Sequence, residues 1–586
     1  MGFGVVLLVF VIGAAFSWRK WADPLVDFGL QLYLPWKISS GSVLGRDLMY
    51  LPGGPLSVHY HALIFKFFGV SYSAIIISNL LIVAGMLLVI YRRFLAASNA
   101  LTATMIGLGI VLALAFGQYS ETANYNYISP YSHDVLHGIA LSILSIAFLS
   151  SCLEKERVRY ACAAGVFFGL VFLTKPEVFV ALGFCTFAGF VIACIAKQKI
   201  SFALKSFVAF TLIALIPSLG FFLYFLQYGD AEASLRSVIS PWLSLFGTGI
   251  SKNPFYRWCL GLDAPVLNLR LILIHFAVLS GLLVFYAWLF RRKTDSSKNR
   301  IILFLFIAPL IALASRFDWV DCGRSLPLLT LITIVAICWR ERKSLAQPSS
   351  LFPLLWSFFA LALLAKLGIF PRIWHYGFAL AMPAFVVAIY FLLFLLPQYL
   401  APFRVNLFIF RGVNTAVLLI GFIQLFVQSI LVYNTRNVAI GNGRDKLFAD
   451  DLKISPVGSA MAIALDWVEK NTPAEATLAV LPEGAMLNFL SRRSNPTPYL
   501  VWQPPELEAF GQKKMTDAML ANPPDYVMLF HRNSDEYGRD YFGKDERFGR
   551  PVMEWVIENY KAVYLIGSEP LQDTSFGIKI LKRQLD

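Results

Sequence analysis

Apolar runs long enough to cross a bilayer recur from residue 2 to residue 432, and nothing else constrains the fold of this chain as strongly. They can be read at about 2–17, 72–91, 100–117, 134–152, 158–174, 178–196, 204–226, 268–290, 301–315, 326–340, 351–366, 378–397 and 405–432. A membrane helix needs about 20 mostly apolar residues, because the hydrocarbon layer is roughly 30 Å thick and a helix rises about 1.5 Å per residue. The runs therefore predict about thirteen transmembrane helices. Composition agrees: 58% of residues are hydrophobic and 15% charged, against roughly 25% charged in a soluble domain.

The formal charge of +14 does not point to nucleic acid, since the basic residues sit in short clusters between apolar runs. Arg92-Arg93, Lys155 to Arg159, Lys197 to Lys205, Arg291 to Arg300, Arg340 to Lys343 and Arg404 all follow even-numbered spans. Positive charge in short loops marks the cytoplasmic side. The N-terminus is then cytoplasmic, while the first loop (18–71), the loop near 118–133, the loop 227–267 and everything after 433 face outward. Arg19 and Lys20 depart from this bias. Residues 1–16 also resemble the apolar core of a signal peptide, but no basic segment precedes them and no small-residue cleavage site follows, so an uncleaved span is expected. The seven cysteines have neither disulfide nor zinc spacing. Cys259 and Cys322 fall in loops on the same expected side, where two separate thiols are the expectation and one bridge the alternative.

After residue 433 the pattern changes to soluble alternation. Helices are predicted at Ser459 to Lys470, Gly484 to Ser491 and near 551–559, and strands at Thr477 to Leu481, Asp525 to Phe530 and Ala562 to Ile566. The expected organisation is a transmembrane domain, 1–432, and a soluble α/β domain, 433–586, whose role is either packing on the membrane part or substrate recognition.

Ionisable side chains at the ends of membrane helices cost desolvation energy, so they are paired or functional. The expected outward side is rich in them. The first loop contains Asp23, Asp27-Phe-Gly, Gly41, Arg46-Asp47, Gly54-Pro55-Leu-Ser and His59-Tyr-His61. A second segment, Asn124-Tyr-Asn126 to His133-Asp134-Val-Leu-His137, places two histidines four residues apart on one helix face. That arrangement fits a metal or sugar site, and equally a capped helix bonded to its loop. A third reads Leu173-Thr174-Lys175-Pro176-Glu177, in which the two charges can also simply pair. Lys175, Arg316, Arg324 and Arg372 lie at outward helix ends against the charge bias, which an anionic ligand would explain. Arg316 and Arg324 have the local acids Asp318 and Asp321, so internal ion pairs are an alternative there. Around Arg372 and His375 no acid is nearby in sequence, which favours phosphate.

These segments resemble the first outer loop and following spans of GT-C glycosyltransferases, closest in layout to the protein mannosyltransferase and aminoarabinose transferase groups. Close motif similarity is confined to about residues 23–70 and 124–178. The resemblance implies a polytopic α-helical membrane protein with a C-terminal periplasmic α/β domain. It implies a donor bearing one sugar on a polyprenyl phosphate, a hydroxyl-bearing glycan, lipid or protein acceptor, and inverting displacement at the anomeric carbon; a bacterial inner membrane is the expected setting, since Gln584-Leu-Asp586 is no endoplasmic reticulum retention signal. Asp27 is then the general base; Asp47 is a further catalytic candidate. His133, Asp134, His137, His59 and His61 are candidates for acceptor or metal binding. Arg372, Lys175, Arg324, Arg316 and His375 are candidates for the donor phosphate. Some members of the superfamily use a divalent cation and others none, so the metal stays open. The competing readings are a flippase for lipid-linked sugars, a ligase moving a whole glycan, and a scaffold. The polar residues gather toward one face rather than mid-bilayer, which disfavours a transporter.

Overall fold

Helices form wherever apolar residues run long enough to hide their backbone polar groups within themselves, which lipid demands. The computed structural model describes residues 1–51, 53–120, 124–197, 200–247, 253–291, 301, 305, 312, 316–341 and 348–584. Among them eight helices are long and apolar enough to cross a membrane: Tyr72–Ala97, His133–Lys155, Pro176–Ile195, Ile200–Phe225, Pro265–Leu289, Trp319–Arg340, Gly377–Phe403 and Leu407–Thr435. Four shorter apolar helices, Gly2–Phe16, Ala100–Ala115, Val158–Phe172 and Ser350–Lys366, match four further runs. The run at 301–315 lies almost wholly outside the described residues. Helix Gly377–Phe403 is the most enclosed, with 89% of its apolar window buried, whereas Pro265–Leu289 has 6% and lies at the periphery.

Successive helices run up and down, so the loops gather in two sets. Phe290 and Asn406 meet at one end (Asn406 N to Phe290 O, 2.8 Å), as do Arg93 and Glu154 (3.8 Å). These are the basic loops. At the opposite end the long loops and the C-terminal part come together. The first long loop, 18–71, in which juxtamembrane helices are expected, holds two helices, α2 (Phe28–Ser39) and α3 (Pro55–Phe68). Both are too short and too broken by polar residues to read as spans.

After Thr435 the chain leaves the last membrane helix directly into a hairpin, β1 (Arg436–Ile440) and β2 (Leu447–Asp450), with Arg436 opposite Asp450. A four-stranded mixed sheet follows, in the order β3-β4-β6-β5, comprising β3 (Leu478–Leu481), β4 (Tyr526–Phe530), β5 (Tyr560–Gly567) and β6 (Gly577–Arg583). β3 and β4 are parallel and buried along their whole lengths. β4, β6 and β5 pair antiparallel. The predicted helices and strands after 433 are present, and β1, β2, β6 and helices Pro504–Phe510 and Gln512–Ala521 are additional. β1 and β2 are short and half-exposed, so their alternation is weak. All seven cysteines are free.

One apolar core runs without a break from the membrane helices into the sheet, linking Tyr72 and Phe65 to Phe489, Leu478 and Ile580. Polar ties reinforce it. Arg436, 4% exposed, donates from Nη1 to the Lys20 and Trp21 carbonyls, and Asp445 accepts from the Tyr72 amide at 2.8 Å and Arg492 at 2.6 Å. At Gly29 on α2 the backbone of Met486 approaches so closely that an added Cβ would lie 2.0 Å from its nitrogen. Gly29→Leu is therefore expected to lift the C-terminal part off α2, at a cost of about 3 kcal/mol by overpacking. A lowered midpoint of tryptophan-detected unfolding would register it.

Candidate active site

The loop after the first helix forms a tight, polar-lined turn. Asp23 accepts the amides of Leu25 and Val26 (2.8 and 2.9 Å), and its own amide donates to Asn124 Oδ1 at 2.7 Å. Asn124 also donates to the Val26 carbonyl. The two sequence segments singled out above thus meet. Asp27 follows at φ +60°, ψ −60°, with the Phe28 amide reaching back to the Val26 carbonyl at 2.6 Å. Asp27 is thereby the central residue of a γ-turn of the strained hand, a conformation costing on the order of 1–3 kcal/mol for a residue with a Cβ. Its amide, left over by the turn, donates to Glu483 Oε1 at 2.9 Å.

Asp27 lines a cavity of about 920 Å³ at the loop end of the bundle. Lys175 and Glu177 line it from the start of helix Pro176–Lys197, Lys366 from the end of Pro348–Lys366, and Tyr125 and Tyr131 from the loop before His133. Phe255, Tyr256 and Trp258 come from a short helix, Pro254–Cys259. The C-terminal part contributes Glu483, Gln503, Glu506, Arg532, Glu536 and Tyr537. Aromatic faces with interspersed carboxylates, amide and guanidinium suit a polar, hydroxyl-bearing ligand.

Burial, then the charges of Glu483 and Asp23, hold the Asp27 carboxyl well above the usual carboxylate range, against the lowering effect of Arg532. Burial, with Glu483 adding, pushes Glu506 up to about 8. Glu506 is thus protonated at neutral pH and able to donate a hydrogen bond. Arg532 holds the acidic wall together, 3.6 Å from Glu483 and 2.7 Å from Glu536.

His375 lines the cavity, but Arg372 stands behind it. Arg372 is fully buried, with its guanidinium 4.3 Å from the Phe370 ring centroid and 4.9 Å from that of Trp258. It donates to the carbonyls of Cys259 and Phe370 and to His375 Nδ1 at 3.2 Å. Arg372, expected at the donor phosphate, instead directs its donors to these carbonyls and to His375 and does not line the cavity. Because a guanidinium only donates, His375 Nδ1 accepts and its Nε2 carries the proton toward Tyr125 Oη at 2.8 Å. Burial first, and Arg372 next, hold this imidazole neutral. Arg372→Met is expected to cost about 3 kcal/mol, since two buried carbonyls and an imidazole lose their donor; a shift in the unfolding midpoint measures it.

The remaining candidates fall elsewhere. Asp47 forms a two-pronged pair with Arg46 (both 2.8 Å) and accepts from the Val43 amide, away from the cavity. Arg324 donates to Asn268 at 2.8 Å and stacks on Phe370, and Arg316 is exposed. Asp134 accepts from Tyr50 at 2.6 Å, Gln31 donates to Tyr50 and accepts from His133, and Asn79 contacts His133 Nε2. This buried network staples α2, the first loop and two membrane helices. His61 packs edge-on against His133 and His137, with ring centroids at 4.2 and 5.0 Å, and His59 bonds the Pro55 carbonyl among Phe221, Tyr224 and Phe225. Among the described residues, no group of three or more His, Cys, Asp or Glu is arranged to hold a metal ion. The histidine rings pack edge-on against one another, and Gln31 and Asn79 take the two ring nitrogens of His133.

Up-and-down apolar helices, two helices in the first long loop, and a small mixed sheet beside a polar cavity define a polytopic helical membrane protein with a C-terminal α/β part. No protein-family model and no curated protein matches the sequence. Among solved structures the chain is similar to ArnT from Cupriavidus metallidurans bound to undecaprenyl phosphate, at 12% identity and a TM-score of 0.51, over 99% of this chain and 97% of that one. It is also similar to the archaeal oligosaccharyltransferase AglB from Archaeoglobus fulgidus in complex with an inhibitory peptide and a dolichol-phosphate, at 13% identity and a TM-score of 0.46, over 90% of this chain and 69% of that one. At 12% identity the likeness to the ArnT structure speaks to fold alone.

Proposed function

We propose that this protein is a membrane glycosyltransferase that moves a single sugar from a polyprenyl-phosphate donor to a hydroxyl acceptor, with inversion, at the periplasmic face of a bacterial inner membrane. The observation that carries this reading is one cavity holding both a carboxyl of raised proton affinity, Asp27, and two lysines, Lys175 and Lys366. A hydroxyl is a poor nucleophile, so a base must take its proton as attack proceeds, and a base works best when its pKa lies near the operating pH. Polyprenyl phosphate leaves with one more negative charge than it carried as the sugar ester. Ammonium groups in a partly desolvated site stabilise that added charge. Asp27 takes the acceptor proton while Lys175 and Lys366 receive the phosphate, with the Tyr125 hydroxyl, held by His375, beside them. The acceptor lies against the aromatic and acidic wall formed by Tyr256, Glu506, Arg532 and Tyr537. The basic loops at the other end of the bundle favour the cytoplasmic side for that end.

The test is reconstitution in liposomes with radiolabelled polyprenyl-phosphate sugars and hydroxyl acceptors. Label appearing covalently on an acceptor supports transfer. Labelled lipid crossing the bilayer with no acceptor labelled would replace this reading with translocation.

A further inference from the structure

The cavity is closed by a residue that no segment of the membrane part supplies. Glu483 follows β3, is 5% exposed, and accepts the Asp27 amide through Oε1 at 2.9 Å while Oε2 lies 3.6 Å from Arg532 Nε. In a γ-turn the central amide has no partner inside the turn. Glu483 is that partner. Removing it would leave a buried N–H unpaired in a strained segment, and the turn would relax toward ordinary backbone geometry.

We propose that Glu483 is a positioning residue for the transfer reaction: its carboxylate holds the γ-turn that aims Asp27 into the cavity and sets the charge environment in which Asp27 takes up its proton. The soluble part of the chain is then half of the catalytic apparatus. This rests on the reading of Asp27 as the base. The groups facing Asp27 are Asp23 from its own loop, Tyr125 and Tyr131 from the loop before His133, Tyr256 from the short helix, and Glu483, Glu506, Arg532 and Glu536 from the C-terminal part. Glu483 is the largest contributor of negative charge, and Arg532 opposes it. Two carboxylates so placed resist being ionised together. A neutral residue at 483 therefore makes Asp27 a weaker base.

Two variants separate the two roles. Glu483→Gln retains an oxygen for the Asp27 amide but removes the charge, and Glu483→Ala removes both. In the full-length protein in liposomes, Glu483→Gln is expected to move the acid limb of kcat/KM to lower pH. Glu483→Ala is expected to lose about a hundredfold in kcat through misplacement of the base, with KM for the lipid donor little changed. Carboxyl titration followed by infrared difference spectroscopy, with the Asp27 band identified by its loss in Asp27→Asn, should show the same downward shift in Glu483→Gln whether or not transfer is measured. An unmoved Asp27 titration in Glu483→Gln would overturn the proposal, as would full kcat in Glu483→Ala. A moved titration in a protein that transfers no sugar would uphold the coupling and sink the glycosyltransferase reading instead.

Discussion

Asp27→Asn is expected to lower kcat by about 10³-fold, within the range that a positioned general base contributes, while the donor KM changes little. Asn matches Asp in shape and keeps the amide that Glu483 holds, so the γ-turn survives. What disappears is the ability to take a proton. The pH dependence follows from the same group. Asp27 works ionised, so the rate rises as pH rises through its midpoint, and burial with Glu483 and Asp23 puts that midpoint above the ordinary carboxylate range. An acid limb at the ordinary range would show that another carboxylate serves. Transfer undiminished in Asp27→Asn would remove Asp27 from the role.

The second large effect is expected at the lysines. Replacing Lys175 or Lys366 by Met keeps the apolar stem and deletes the ammonium. Each variant should lose about 10²-fold in kcat, the scale of one electrostatic partner of a developing anion. The donor phosphate carries one charge in the ground state and approaches two as it leaves, so the lysines bind the transition state more strongly than the substrate. A fall in kcat exceeding the rise in KM is the signature. A rise in KM alone would mean that they only hold the donor. The double variant should lose less than the product of the singles, because the two share one ligand.

Much of this site was visible in the sequence, and particular residues show why. Asp27 was singled out from Asp23 and Asp47 in the same loop only by that loop's resemblance to a known family's first outer loop. Lys175 stood out as a cation at a helix end where charge bias disfavours it. Lys366 ends an apolar run in the same way, so the signal was present though it was not among the candidates. Arg372 carried that signal too, but the structure satisfies it with carbonyls, an imidazole and aromatic faces. His133 and Asp134 illustrate the converse. A buried hydrogen-bond network and a ligand site demand the same residue types at the same spacing, and only the positions of Tyr50, Gln31 and Asn79 distinguish them. Glu483 lies 456 residues from Asp27 along the chain, and Glu506, Arg532 and Glu536 stand in ordinary soluble patterns. Nothing local marks them.

By itself, the sequence determined the membrane helices, their alternation, the end of the bundle at which polar residues gather, and the loop carrying Asp27. Those features are written in hydropathy and charge, which act locally because lipid requires each span to satisfy its own backbone. Tertiary structure decided which cations reach the cavity, which polar groups are merely staples, and that the soluble part supplies a wall of the site. Those outcomes depend on contacts between distant segments, where packing and pairing fix each partner and sequence spacing carries no record of them.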